Sequence, residues 1–159
     1  MASLNRTQQI IVGTVPKFTG VLSFTCSSLV IKHILGNKNK RKNTYHRLLC
    51  IMSVGDCIIS LCYVIGTIPI PRGEIWGALG NNISCDIVGF LNVLGASFAP
   101  MMNVSLATFY LLMLKCEWSN RRIKTVEKYL ICLPVVWALI MVFSAVGMGA
   151  LGSANWVCW

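Results

Sequence analysis

The stretch KHILGNKNKRKNTYHR, residues 32–47, decides how this chain folds. It carries six of the fourteen Lys and Arg. Five more fall in a second cluster, residues 115–128, and only Arg6, Lys17 and Arg72 lie elsewhere. Long apolar stretches separate the clusters. Along the chain the charge runs poor, rich, poor, rich, poor. A protein stitched through a bilayer with its basic loops held on one side has this pattern.

Composition agrees. Of the 159 residues, 55% are apolar and 12% are charged, with a mean hydropathy of +0.68. Soluble domains carry about 25% charged residues, so this chain has too little polar surface for water. The net charge of +9 does not indicate nucleic acid as a partner. The basic residues flank apolar runs and are not interleaved with aromatics on a soluble fold. No enzyme signature is present: no His/Cys metal spacing, no Gly-rich phosphate loop after a strand, and no His deep in an apolar run. Residues 1–9 lack the basic region, apolar core and small-residue site of a cleavable signal peptide. The first apolar run is expected to act as its own membrane signal.

Crossing the hydrocarbon core takes about 20 helical residues. Four segments qualify, at about 10–35, 48–69, 87–114 and 129–151. Each must be helical, because lipid leaves exposed backbone groups unsatisfied. The expected fold is an all-α membrane protein, a four-helix transmembrane bundle with lipid as its first partner. The Lys/Arg excess places the loops at 36–46 and 116–127 in the cytoplasm. The short N-terminus (1–9), the 70–84 loop and residues 152–159 are then extracellular. The expected location is the plasma membrane, as a multi-pass protein.

Helical spacing gives each span a stripe of small or polar residues. These are Pro16, Gly20, Ser23 and Ser27; Ser53, Asp56, Ser60 and Tyr63; Ala96, Pro100, Asn103, Ala107 and Tyr110; and Ala138, Met141, Ala145 and Gly149. Small residues let backbones approach and hydroxyls bond across helices. The stripes are therefore expected to be packing faces. Asp56 stands apart as the one acid deep in a span. A carboxylate there is costly unless paired, hydrated or protonated. It is expected to face the bundle interior, with Ser53, Ser60, Asn103 or Ser27 as partners. Two roles remain open: a cation or proton site, or a protonated Asp bonded to a neighbouring helix. Pro100 removes one backbone bond and loosens or kinks the third helix.

The topology sorts the eight Cys. Cys26, Cys50, Cys57, Cys62 and Cys132 lie within spans and Cys116 at an inner end. Only Cys85 and Cys158 fall outside, where an oxidising setting lets them pair; two free thiols are the alternative. Asn5 and Asn82 head extracellular N-x-[ST] sequons and are candidate glycosylation sites. The sequon at Asn103 is buried in a span.

Several segments resemble a known family. Residues 44–49 (TYHRLL), 52–56 (MSVGD) and 66–73 (GTIPIPRG) resemble the second helix and first outer loop of seven-transmembrane G-protein-coupled receptors. The receptors concerned come from algal and other protist lineages. They are related to the secretin-like (family 2) and slime-mould cyclic-AMP receptor groups. Residues 75–85, 103–106, 110–112 and 156–159 continue the likeness. It covers about residues 10–159, the first four of seven helices. The resemblance implies a disulfide between Cys85 and Cys158, tying the third helix to the second extracellular loop. It implies a possible sodium ion at Asp56, and a fourth-helix tryptophan at Trp137. In a full-length form it implies an extracellular ligand, a heterotrimeric G protein and transmembrane signalling. The inner end of the third span reads LKCE, residues 114–117, without the Asp-Arg-Tyr of rhodopsin-type receptors. Lacking helices five to seven, a four-helix fragment is expected not to signal alone. The other readings are a four-pass scaffold or channel subunit acting by oligomerisation, and a transporter piece with Asp56 as its coupling carboxylate.

Overall fold

A computed structural model describes residues 6–71, 78–154 and 157–158. It contains helices α1 (Arg6–Leu35), α2 (Lys38–Arg41), α3 (Thr44–Ile65), α4 (Asn82–Leu114) and α5 (Asn120–Gly147). A two-stranded antiparallel ribbon follows, β1 (Ser153–Ala154) against β2 (Val157–Cys158). The four long helices form a bundle. Each holds a stretch long and apolar enough to span a membrane: Gly13–Leu35, Thr44–Ile65, Asn82–Leu114 and Arg122–Gly147. The chain is a multi-pass membrane protein. Phe18, Leu22, Leu29, Leu133, Ile140 and Phe143 are exposed, as side chains solvated by lipid must be.

Successive long helices are neighbours. α1 packs on α3, α3 on α4 and α4 on α5, while α1 packs on neither α4 nor α5. The bundle therefore has two ends. One carries α2 and both basic clusters. The other carries residues 66–71 and 78–81 and the β ribbon.

The helix ends follow local chemistry. Asn43 caps α3 by accepting from the Tyr45 N–H at 3.1 Å. Asn81 and Ser84 form a reciprocal capping box at the start of α4. α3 stops at Ile65, short of the expected residue 69. Gly66 takes φ +55°, a conformation open to glycine, and its N–H closes onto the Cys62 carbonyl. The Lys17 stem of α1 lies against this glycine, which sets a cation near the negative end of α3. α5 starts at Asn120 instead of near 129, so most of the second basic cluster is helical.

Two apolar cores hold the bundle. Leu48, Met102, Phe109, Ile123 and Leu130 join α3, α4 and α5 toward the basic end. Ile70, Cys85 and Cys158 form a smaller core at the other end, with Ala78 and Val88 against it.

The packing faces agree with expectation in part in α1 and α3, where Ser23 and Tyr63 are exposed, and depart from it in α4. Gly20 and Ser27 of α1 are buried, as are Ser53 and Ser60 of α3. In α4 the expected stripe points away: Pro100, Asn103, Ala107 and Tyr110 are exposed. The buried face is instead Cys85, Gly89, Asn92, Gly95, Met102, Ser105 and Phe109. Glycine decides the rotation. A Cβ on Gly95 would sit 3.1 Å from Ile59 Cβ, and one on Gly55 would sit 2.5 Å from the Phe98 ring. An alanine at either position would force its neighbour to shift. In α5 the buried line is Ile123, Glu127, Leu130, Pro134, Ala138 and Val142. Of its expected stripe only Ala138 is buried, and Met141 and Gly149 are exposed.

Candidate functional site

Three places concentrate chemistry: the Asp56 seam, the ribbon end and the basic end.

Asp56 sits between two contacts of α3. Its neighbour Gly55 faces Phe98 of α4, and its other neighbour Cys57 meets the Ser28 hydroxyl of α1 at 3.8 Å. Successive helical residues turn by about 100°, so Asp56 lies at the seam where α3 leaves α1 and meets α4. Because α1 does not pack on α4, this seam is open, and Asp56 is half-buried. Tyr45, Met52, Asp56 and Tyr63 follow one another along it at spacings of seven, four and seven. The open face of α4 borders the same seam, as the Tyr45 and Tyr110 rings show, with centroids 5.7 Å apart.

The expected partners of Asp56 are not gathered around it. Ser53 donates to the Leu49 carbonyl at 2.9 Å within its own helix. Ser60 donates to Ser23 of α1 at 2.9 Å. Asn103 is exposed on α4. It lies five residues inward of Phe98, about 7.5 Å along the helix axis, beyond the level of Asp56. Among the described residues the Asp56 carboxylate has no hydrogen bond or ion pair. The oxygen set expected for a sodium ion is therefore not assembled, and the residues present do not fit one. Ser53 and Ser60 are engaged elsewhere, and Asn103 stands at a different depth.

At the ribbon end, Cys85 and Cys158 form a disulfide with Cα atoms 5.2 Å apart. It ties the first turn of α4 to β2. The Asn92 amide of α4, buried in the next turns, donates to the Cys158 carbonyl at 3.5 Å. Ile70 is fully buried beneath this link. Residues 66–71 and 78–81 are joined through Leu79 N–H to Ile68 O and Gly80 N–H to Ile70 O. Ser84 adds a bond from its hydroxyl to the Pro69 carbonyl at 2.9 Å. Gly80 abuts that same carbonyl so closely that a Cβ would fall 2.1 Å from its oxygen. Asn82 is exposed in the first turn of α4, and its sequon hydroxyl, Ser84, is engaged in the capping box. Asn5 lies outside the described residues.

At the basic end, Glu127 of α5 is 6% exposed and ties α5 to the start of α3. Its Oε2 accepts from Thr44 Oγ1 at 2.8 Å and from Arg47 Nη2 at 2.5 Å. Sequence reasoning left Glu127 in a loop. Its place in the i, i+3/i+4 series from Ile123 to Val142 was the readable signal. Around it stand Arg41, Lys42, Lys124 and Lys128. Among the described residues no group of His, Cys, Asp or Glu has the makings of a metal site.

No family model and no curated protein matches this sequence.

Proposed function

We propose that this chain is the first half of a seven-transmembrane G-protein-coupled receptor, and that it works in signalling only together with further helices. The observation that carries this reading is the open seam. Asp56, Tyr63, Asn103 and Tyr110 present polar groups along one face that α1 and α5 leave uncovered. Polar groups at membrane depth ordinarily face protein, so the seam is a surface made to be covered. Covering it with later helices of the same chain is what the resemblance to receptors implies. The disulfide from α4 to the segment after α5 supports the same reading, since the resembling receptors carry that link. In this reading the ribbon end and Asn82 are extracellular, the basic loops are cytoplasmic and the membrane is the plasma membrane.

In the full-length form, a ligand bound at the ribbon end biases helix populations toward a state that engages a heterotrimeric G protein. Sequencing the transcript downstream of Trp159 tests the reading. Three further apolar spans in frame sustain it. A stop codon there overturns it in favour of a four-pass protein whose open seam joins copies to one another. The second reading rests on the same seam and predicts cross-linking between copies through a cysteine placed at Asn103.

A further inference from the structure

The basic end holds a cavity of about 420 Å³ between α2, α3 and α5. Ligand clefts run from about 300 to 1,000 Å³. Five cations line it, Arg41, Lys42, Arg47, Lys124 and Lys128, against the single carboxylate of Glu127. That carboxylate is already engaged by Arg47 and Thr44. Arg41, Lys42, Lys124 and Lys128 have no side-chain partner among the described residues, and the buried Arg47 Nε–H has no acceptor. Such a cavity has an excess of donors and of positive charge, and lacks only an anion.

A second cavity shows what kind of anion. On the same helix, Cys132 stands one turn beyond Lys128, which puts both on one face. The ridge Lys128, Cys132, Val136 and Ile140, at spacings of four, leads from the edge of the cavity round the helix into an apolar groove of about 470 Å³, which Tyr129, Leu133 and Trp137 complete on the lipid-facing side of α5. A charged cavity at the membrane rim above an apolar track matches a molecule with an anionic head and a hydrocarbon tail. Basic pockets between spanning helices bind phosphorylated lipid headgroups in this way. Phosphomonoesters suit the donor set, since they offer several oxygens to Arg and Lys at once. We infer that the cavity formed by Arg41, Lys42, Arg47, Lys124 and Lys128 binds the phosphomonoester headgroup of an anionic membrane lipid whose acyl chain lies along α5.

This rests on the cytoplasmic placement of the basic loops proposed above, and not on the receptor reading. The test uses the whole chain in nanodiscs of phosphatidylcholine. The probe is a fluorescent short-chain phosphatidylinositol 4,5-bisphosphate, with inositol trisphosphate, inorganic phosphate and phosphatidylserine as competitors. Saturable binding of the phosphoinositide is expected, displaced poorly by all three competitors. Each surface cation contributes about fivefold in affinity. Lys124→Gln with Lys128→Gln is therefore expected to weaken binding about 25-fold. Both residues are exposed, so the fold tolerates the change. Lys38→Gln with Lys115→Gln, at the same end but outside the cavity, is expected to change affinity by less than about twofold. Equal losses in the two double variants overturn the site in favour of diffuse charge. Displacement by inositol trisphosphate or phosphate as effective as by the lipid itself overturns the lipid assignment. Equal competition by phosphatidylserine overturns the phosphomonoester assignment.

Discussion

The ribbon end and the basic end of this bundle are held by different chemistry. At the ribbon end the link is covalent and its surroundings are apolar: Cys85 bonds Cys158 over the buried Ile70. At the basic end the link is a buried carboxylate, Glu127, shared by Thr44 and Arg47 and ringed by cations. The first responds to reductant and not to charge. The second is electrostatic and does not depend on reductant. A chain with few residues outside its spans thus has two independent ways to fix helix ends, one covalent and one electrostatic.

The largest expected effect breaks the first link. The two cysteines are 73 residues apart, and a loop of that length implies about 4 kcal/mol from constraint of the unfolded chain. Cys158→Ser is expected to lower stability by about that amount in detergent unfolding, and wild type with reductant should follow it. Breaking the second link comes next. Glu127→Ala strands the Thr44 and Arg47 donors and is expected to cost about 2–3 kcal/mol in the same assay. That falls below the ~3–5 kcal/mol of a fully buried pair because the Arg47 side chain is 43% exposed. If reductant deepens the loss in the Glu127 variant by more than it does in wild type, the two ends are coupled and the comparison fails.

Smaller effects sharpen it between the ends. Gly55→Ala drives a methyl into the Phe98 ring and is expected to cost about 1–3 kcal/mol, whereas Gly147→Ala meets nothing and is expected to be neutral or mildly stabilising. Ser60→Ala removes the bond to Ser23 and is expected to cost about 0.6 kcal/mol. Asn103→Leu changes an exposed side chain and is expected to shift stability by less than about 0.5 kcal/mol in this chain. In a form with further helices on the seam, the same change should cost more, and unfolding of both forms measures the difference.

Much of this was legible in the chain itself. Charge order and apolar run length located all four spans, because both follow from one residue type at a time meeting lipid or water. Local capping and turn chemistry set the ends, though Gly66 and the helical start of α5 moved two of them. The pairing of Cys85 with Cys158 was open from topology alone and implied by resemblance. The Asp56 neighbourhood was misread, since small and polar residues line both faces of α4 and spacing cannot rank them. Glu127 was missed because its partners are 80 and 83 residues away in sequence.

The sequence by itself determined that this chain crosses a membrane four times with its basic loops at one end. Transfer of each run between water and lipid is a sum over its own residues. Only the tertiary structure decided which face of α4 turns inward, what Asp56 meets and what surrounds Glu127. The α4 face depends on close approach at Gly55 and Gly95, and the Glu127 site on partners 80 and 83 residues away, properties of helices together that no segment contains alone.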